Sequence, residues 1–164
     1  MHILDVENNG FLLGRGTMAS YKKILLATDF SEFSSETADR AFAIAKVFGA
    51  EMCALHVLEP VAMLDTGYAD ILPFDLDLTE QMLNTAKARM EKLAQQLNIP
   101  KERQWVEVGS PKAEIVRVAA EQNIDLIVIG THGRHGLGVL LGSTAASVVN
   151  HAGCDVLTVR LTGA

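Results

Sequence analysis

Asp125-Leu126-Ile127-Val128-Ile129-Gly130-Thr131-His132-Gly133 is the stretch on which the fold turns. Four consecutive aliphatic residues between an aspartate and a glycine do not alternate as a half-solvated strand would. The run is also too short for a buried helix, so it reads as a strand covered on both faces. Strands of that kind belong to parallel sheets, where crossover helices supply the cover. The glycine-rich segment Thr131 to Gly142 follows, and Ser143 to His151 then reads as a helix with Gly153 behind it. Asp155 to Leu161 reads as a last strand.

Working back from Asp125, Ser110-Pro111 is an N-cap followed by proline at the first helical position, which predicts a helix through Gln122. Gln104 to Val108 reads as a strand before it. Met82, Leu83, Ala86, Met90, Leu93, Ala94 and Leu97 recur at helical spacing over about five turns, and Pro100 is expected to end that helix. Val61 to Asp77 has no clean period and contains Gly67 and Pro73, so a long loop is expected. Met52 to Leu58 is a strand stopped by Glu59-Pro60. Ahead of it, Ser34 is expected to cap a helix marked by Ala38, Ala41, Phe42, Ala45 and Phe48 and closed by Gly49. Lys23 to Asp29 reads as the first strand. Strand and helix thus alternate through five strands, which predicts one α/β domain: a five-stranded parallel sheet with helices on both faces and right-handed crossovers.

Composition narrows the function. The chain has 164 residues, 49% hydrophobic and 21% charged, with a net charge of −6. Holding nucleic acid or an anionic membrane surface needs a clustered excess of Lys and Arg, so neither partner is expected. No apolar run approaches the roughly 18 to 20 residues that cross a bilayer. Cys53 and Cys154 sit singly in apolar stretches, as small buried hydrophobes do in a reducing compartment, and a cytoplasmic protein is expected. Met1 to Thr17 shows neither signal-peptide regions nor periodicity. Residues 1–18 are therefore expected to be a flexible extension, with Met18 a candidate start and the functional domain over 19–164.

In open parallel sheets ligands bind beyond the carboxyl ends of the strands, where the winding reverses. That points to Ala27-Thr28-Asp29, to His56-Val57 and to the loop from Gly130 to Thr144. A glycine-rich loop entering a helix offers backbone N–H groups and the positive dipole end to an anion. Ser143 and Thr144 could donate to phosphate oxygens, and Asp29 could accept from ribose hydroxyls or simply cap its loop. No GxxxxGK[ST] or GxSxG motif occurs. Gly136-Leu137-Gly138 fits a dinucleotide fingerprint poorly, because the third glycine comes late. His132 and His135 lack a third ligand at metal spacing, so no metal site is expected.

The chain resembles the universal stress protein family from Tyr21 to Arg160. The resemblance rests on Lys23 to Ser31, His56-Val57, Asp125 to Gly133, Gly142-Ser143 and Cys154 to Arg160. It implies a Rossmann-like sheet of the adenine-nucleotide alpha hydrolase-like kind, a homodimer through the last strand (Asp155 to Leu161) and, in one subgroup, an ATP site, with Mg. Carried onto this chain, Ala27, Thr28 and Asp29 would meet adenosine, and Val57 would meet adenine through its backbone. Gly130, Gly133, Gly142, Ser143 and Thr144 would cradle phosphates. The family's ATP binders have nine residues between the second glycine and Gly-Ser, whereas eight separate Gly133 from Gly142 here. The shorter spacing resembles the founding, non-binding subgroup, while the glycines and Gly142-Ser143 resemble the binders. The expected role is a stress-response module, either nucleotide-sensitive or acting through protein contacts alone. Hydrolysis is expected to be weak at most: Arg134 or His135 could offset phosphoryl charge, but no water-activating base stands out. Pairing Asp155 to Leu161 with a second copy would also cover an otherwise exposed sheet edge.

Overall fold

The computed structural model describes residues 20–60, 76–131 and 141–160. Along them run β1 (Lys23–Ala27), α1 (Ser34–Phe48), β2 (Glu51–Leu58), α2 (Leu76–Leu97), a 3-10 turn (Lys101–Arg103), β3 (Gln104–Val108), α3 (Pro111–Glu121), β4 (Leu126–Gly130), α4 (Ser143–His151) and β5 (Asp155–Val159). The five strands pair in parallel in the order β3-β2-β1-β4-β5, the expected α/β sheet.

β1 lies at the centre because every residue of Ile24-Leu25-Leu26-Ala27 is apolar, and both of its faces are buried. Strand side chains alternate between faces. Ile24 and Leu26 therefore point into one core layer with Ala38, Ala41 and Ala45 of α1 and Met90 and Ala94 of α2. Leu25 and Ala27 point into the other, with Ile115 and Val118 of α3 and Ala145 and Val148 of α4. Each fully buried Leu or Ile contributes about 1.5–3 kcal/mol. The small residues on α1 let that helix lie close to the sheet.

The helix ends follow local chemistry. Gly49 (φ 64°), Asn98 (φ 53°) and Asn123 (φ 53°) each adopt the left-handed conformation just past a helix. The next residue's N–H then reaches back: Ala50 to Ala45, Ile99 to Ala94 and Ile124 to Ala119, at 2.8–2.9 Å. α2 thus stops at Leu97 through Asn98 rather than through Pro100, which comes two residues later. It begins at Leu76, earlier than the apolar stripe from Met82 suggested, so the last two residues of the expected Val61–Asp77 loop are helical. Residues 61–75 of that loop, and residues 1–18 of the expected extension, lie outside the described residues. Ser34 is the first residue of α1, not its cap; its N–H and Oγ both donate to the Ser31 carbonyl, at 3.1 and 2.7 Å. Ser110 does stand at the N-cap of α3 with Pro111 behind it, but its hydroxyl makes no capping bond.

β1 and β4 are also clasped at their entry. Asp125 Oδ2 accepts from the backbone N–H groups of Lys22 and Lys23 at 2.7 and 2.8 Å. The chain winds outward from β1 through β2 to β3, then returns past β1 to β4 and β5. The winding therefore reverses between β1 and β4, and the crevice that matters lies at their carboxyl ends.

Candidate functional site

The chain leaves β1 at Ala27, two residues earlier than expected, because Thr28 and Asp29 begin a turn held by their own side chains. Thr28 keeps its backbone on β2, its N–H donating to the Leu55 carbonyl at 2.9 Å. Its Oγ1 accepts from the Phe30 N–H at 3.2 Å, and Asp29 Oδ1 accepts from the Ser31 N–H at 3.0 Å. Phe30 sits between them at φ 55°, a conformation a bulky side chain rarely takes. Its ring packs on that of His56, centroids 4.5 Å apart, and His56 Nδ1 donates to the Thr28 carbonyl at 2.8 Å. His56 is a buried β2 residue whose strand neighbours alternate between the two cores.

Two atoms of this turn stand out. Asp29 Oδ2 and Ser31 Oγ are buried and have no hydrogen-bond partner among the described residues. Such groups are rarely left unsatisfied, and each costs about 1–3 kcal/mol in that state.

Across the switch, Gly130 ends β4 opposite Val159 of β5. Thr131 N–H donates to the Val159 carbonyl at 2.9 Å, and the Gly142 N–H donates to the Thr131 carbonyl at 2.7 Å. That bond brings the start of α4 back to the end of β4. Gly142 is the N-cap, without a side-chain capping bond, so the first amides of the helix, from Ser143 and Thr144 onward, lack intrahelical acceptors. Ser143 is exposed and Thr144 half-buried. Val57 stands on β2 opposite Glu107 of β3, two residues past the Leu55 that pairs with Ala27.

The structure thus gathers Ala27, Thr28, Asp29, Val57, Gly130, Gly142, Ser143 and Thr144 at one end of the sheet. Gly133, with Arg134 and His135, lies outside the described residues. The resemblance rests in part on Phe30, Ser31 and His56, and His56 stands among the strand-end candidates, but the sequence reading gives none of the three a role in the site. The available signals were the Asp-x-Ser spacing of an Asx turn and a lone imidazole within an apolar strand. Two wide grooves lie elsewhere: about 740 Å³ between α2 and the β3 edge, and about 630 Å³ between α1 and the β5 edge. Among the described residues no group of three or more His, Cys, Asp or Glu could hold a metal ion. No helix among them is long and apolar enough to cross a membrane.

These features define a doubly wound, Rossmann-like α/β domain with its crevice at the β1–β4 switch. Residues 20–160 match the model of the Universal stress protein family. The chain is 37% identical to Universal stress protein A homolog 2 of Coxiella burnetii over 147 residues, 89% of this chain and 99% of the relative. The solved structure of MJ0577 from Methanocaldococcus jannaschii superposes with a TM-score of 0.73 at 29% identity, covering 88% of this chain and 99% of that one. A universal stress protein in complex with cAMP superposes with a TM-score of 0.58 at 25% identity, covering 88% of this chain and 100% of that one. The chain belongs to the universal stress protein family.

Proposed function

We propose that this protein is a homodimeric, cytoplasmic stress-response module that binds an adenine nucleotide, with ATP and Mg the favoured form, at the carboxyl ends of β1 and β4. The observation that carries the reading is Asp29 Oδ2, a buried acceptor with no partner at the switch point. A carboxylate there suits ribose hydroxyls. The uncapped start of α4, tied to Thr131 by the 2.7 Å bond, suits phosphate. Val57 lies within the same end of the sheet, where its backbone could meet adenine. Gly130 and Gly133 would complete the phosphate cradle with Gly142, Ser143 and Thr144. The relative solved with cAMP supports a nucleotide as the ligand class.

For the homodimer, β5 is an edge strand with Leu157 36% exposed, and beside it runs the groove lined by Ala43, Ile44, Val47 and Phe48 of α1. An open edge of this kind is a template for pairing with a second chain. The shared interface would run along β5, Asp155–Val159, which ends two residues before the expected Leu161, a residue outside the described ones.

Thermal unfolding with and without Mg-ATP, with AMP as control, tests the nucleotide. Ligand at about 100 times Kd adds roughly 2.7 kcal/mol, which raises the midpoint of a domain this size by about 5–10 °C. Asp29→Asn should lose that shift while the unliganded midpoint changes little, since the remaining amide oxygen can still accept from the Ser31 N–H. The absence of a shift at millimolar ATP would sink the nucleotide reading and leave protein contacts as the mode of action.

A further inference from the structure

We propose that Ser31 is a specificity-determining residue of the crevice. With Asp29 it selects a nucleotide whose ribose keeps both hydroxyls free, against one closed into a 3′,5′-cyclic phosphate. The inference rests on the nucleotide reading above and narrows it to a ligand class.

The Ser31 hydroxyl has no structural task. Its N–H is held by Asp29 Oδ1 at 3.0 Å, and its carbonyl accepts from the N–H and Oγ of Ser34 at 3.1 and 2.7 Å, so the turn and the entry to α1 are built without Oγ. Yet Oγ is buried and unpartnered, as is Asp29 Oδ2 two residues before it. The turn that carries both is kept in place by Phe30 at φ 55° and by the His56–Thr28 bond. Alanine at position 31 would avoid the unsatisfied hydroxyl, so the serine carries a group that the turn itself does not use.

The two atoms dictate what that ligand offers. A carboxylate accepts only, whereas a serine hydroxyl donates and accepts. A ligand group must therefore donate to Asp29 and present an oxygen to Ser31. An amine lacks the oxygen. A phosphate lacks the donor, and its charge opposes the carboxylate. Two neighbouring hydroxyls supply both, one donating to Oδ2 and the other accepting from Oγ, as the 2′ and 3′ positions of a ribose do. Both protein atoms are buried, so a ligand hydroxyl that reaches them meets little competition from bulk solvent. Esterifying the 3′ oxygen into a cyclic phosphate removes one donor and sets an anion beside Asp29. A relative of the same fold has been solved with cAMP, so discrimination against the cyclic form would be a property of this chain's turn rather than of the fold.

The test is titration calorimetry on the full chain with Mg and ATP, 2′-deoxy-ATP, 3′-deoxy-ATP and cAMP, repeated with Ser31→Ala. Native protein should bind ATP about tenfold or more tightly than each of the other three. Ser31→Ala should narrow one of the two ATP to deoxy-ATP ratios, that of the hydroxyl bonded to Oγ, to about threefold or less, with an unliganded melting temperature equal to or above that of the native chain. Equal affinity for ATP and both deoxy analogues, or cAMP binding as tightly as ATP, overturns the proposal and leaves the nucleotide reading standing. So does a Ser31→Ala chain that keeps both native ATP to deoxy-ATP ratios. If none of ATP, 2′-deoxy-ATP, 3′-deoxy-ATP and cAMP binds, the nucleotide reading falls and this inference falls with it.

Discussion

His56 Nδ1 donates to the Thr28 carbonyl across 2.8 Å, and the same imidazole packs against Phe30 at a 4.5 Å centroid separation and 36° between planes. One β2 side chain therefore steadies both the residue before Asp29 and the residue after it. The bond is buried, and a carbonyl that loses its donor there costs about 1–3 kcal/mol.

His56→Leu should accordingly lower the melting temperature by roughly 2–12 °C, at about 2–4 °C per kcal/mol for a chain of this length. His56→Asn, whose amide nitrogen can stand near the Nδ1 position, should recover a good part of the loss. Paired thermal unfolding curves check this. Equal losses in both variants would mean that ring packing, not the hydrogen bond, is what His56 contributes.

Burial pushes the Cys53 thiol from its ordinary 9.0 up to about 11, against the weaker opposing pull of Arg103 and Lys23. Its folded form holds the proton more tightly than the unfolded form. Its contribution to stability is therefore whole below pH 9 and lost as the pH climbs toward 11, about 2–3 kcal/mol in all. Cys53→Ala should flatten the fall in urea midpoint between pH 9 and 10.5 relative to the native chain. At pH 8 an aromatic disulfide reagent should modify Cys53 only on unfolding. Rapid modification of the native thiol would contradict its placement in the core.

Leu157, 36% exposed on β5, tests the dimer. Sedimentation equilibrium of the native chain should give twice the 17.7 kDa chain mass. Leu157→Lys should shift the population to monomer at micromolar concentration, because an ammonium drawn into a strand-to-strand interface loses its water without gaining a counter-charge. A native chain that sediments at its own mass would refute the shared edge.

Much of the sheet was readable from the residues. β3 and α4 have the expected bounds, because Gln104 to Val108 and Ser143 to His151 carry both their period and their punctuation locally. Two of the misplacements share a cause: a side chain drawn into a neighbouring interaction. β1 ends before Thr28 and Asp29 because their oxygens bond the backbone two residues on. Ser34 gives up capping because its hydroxyl turns back to Ser31. α2 starts ahead of its apolar stripe because its first turns hold residues the pattern does not mark. Of the site, Ala27, Thr28, Asp29 and Gly142 were legible as residues at strand and helix ends. The buried state of Ser31 Oγ was not, since no local pattern shows which hydroxyls folding leaves without a partner.

The clasp between Asp125 and the amides of Lys22 and Lys23 joins positions 103 and 102 residues apart. The β1–β4 pairing spans a similar length of chain. During synthesis at about 5–20 residues per second, the central strand emerges several seconds before the one that covers its second side. In that interval β1, β2 and β3 can assemble with α1 and α2 into a half-sheet, and the hydrogen-bonding groups along β1 face outward as a temporary edge. A β4 from another nascent chain fits that edge as well as the chain's own does. The rate at which the ribosome delivers Leu126 to Gly130, and the spacing of neighbouring ribosomes, therefore bear on the yield of correctly closed molecules as directly as the stability of the finished sheet.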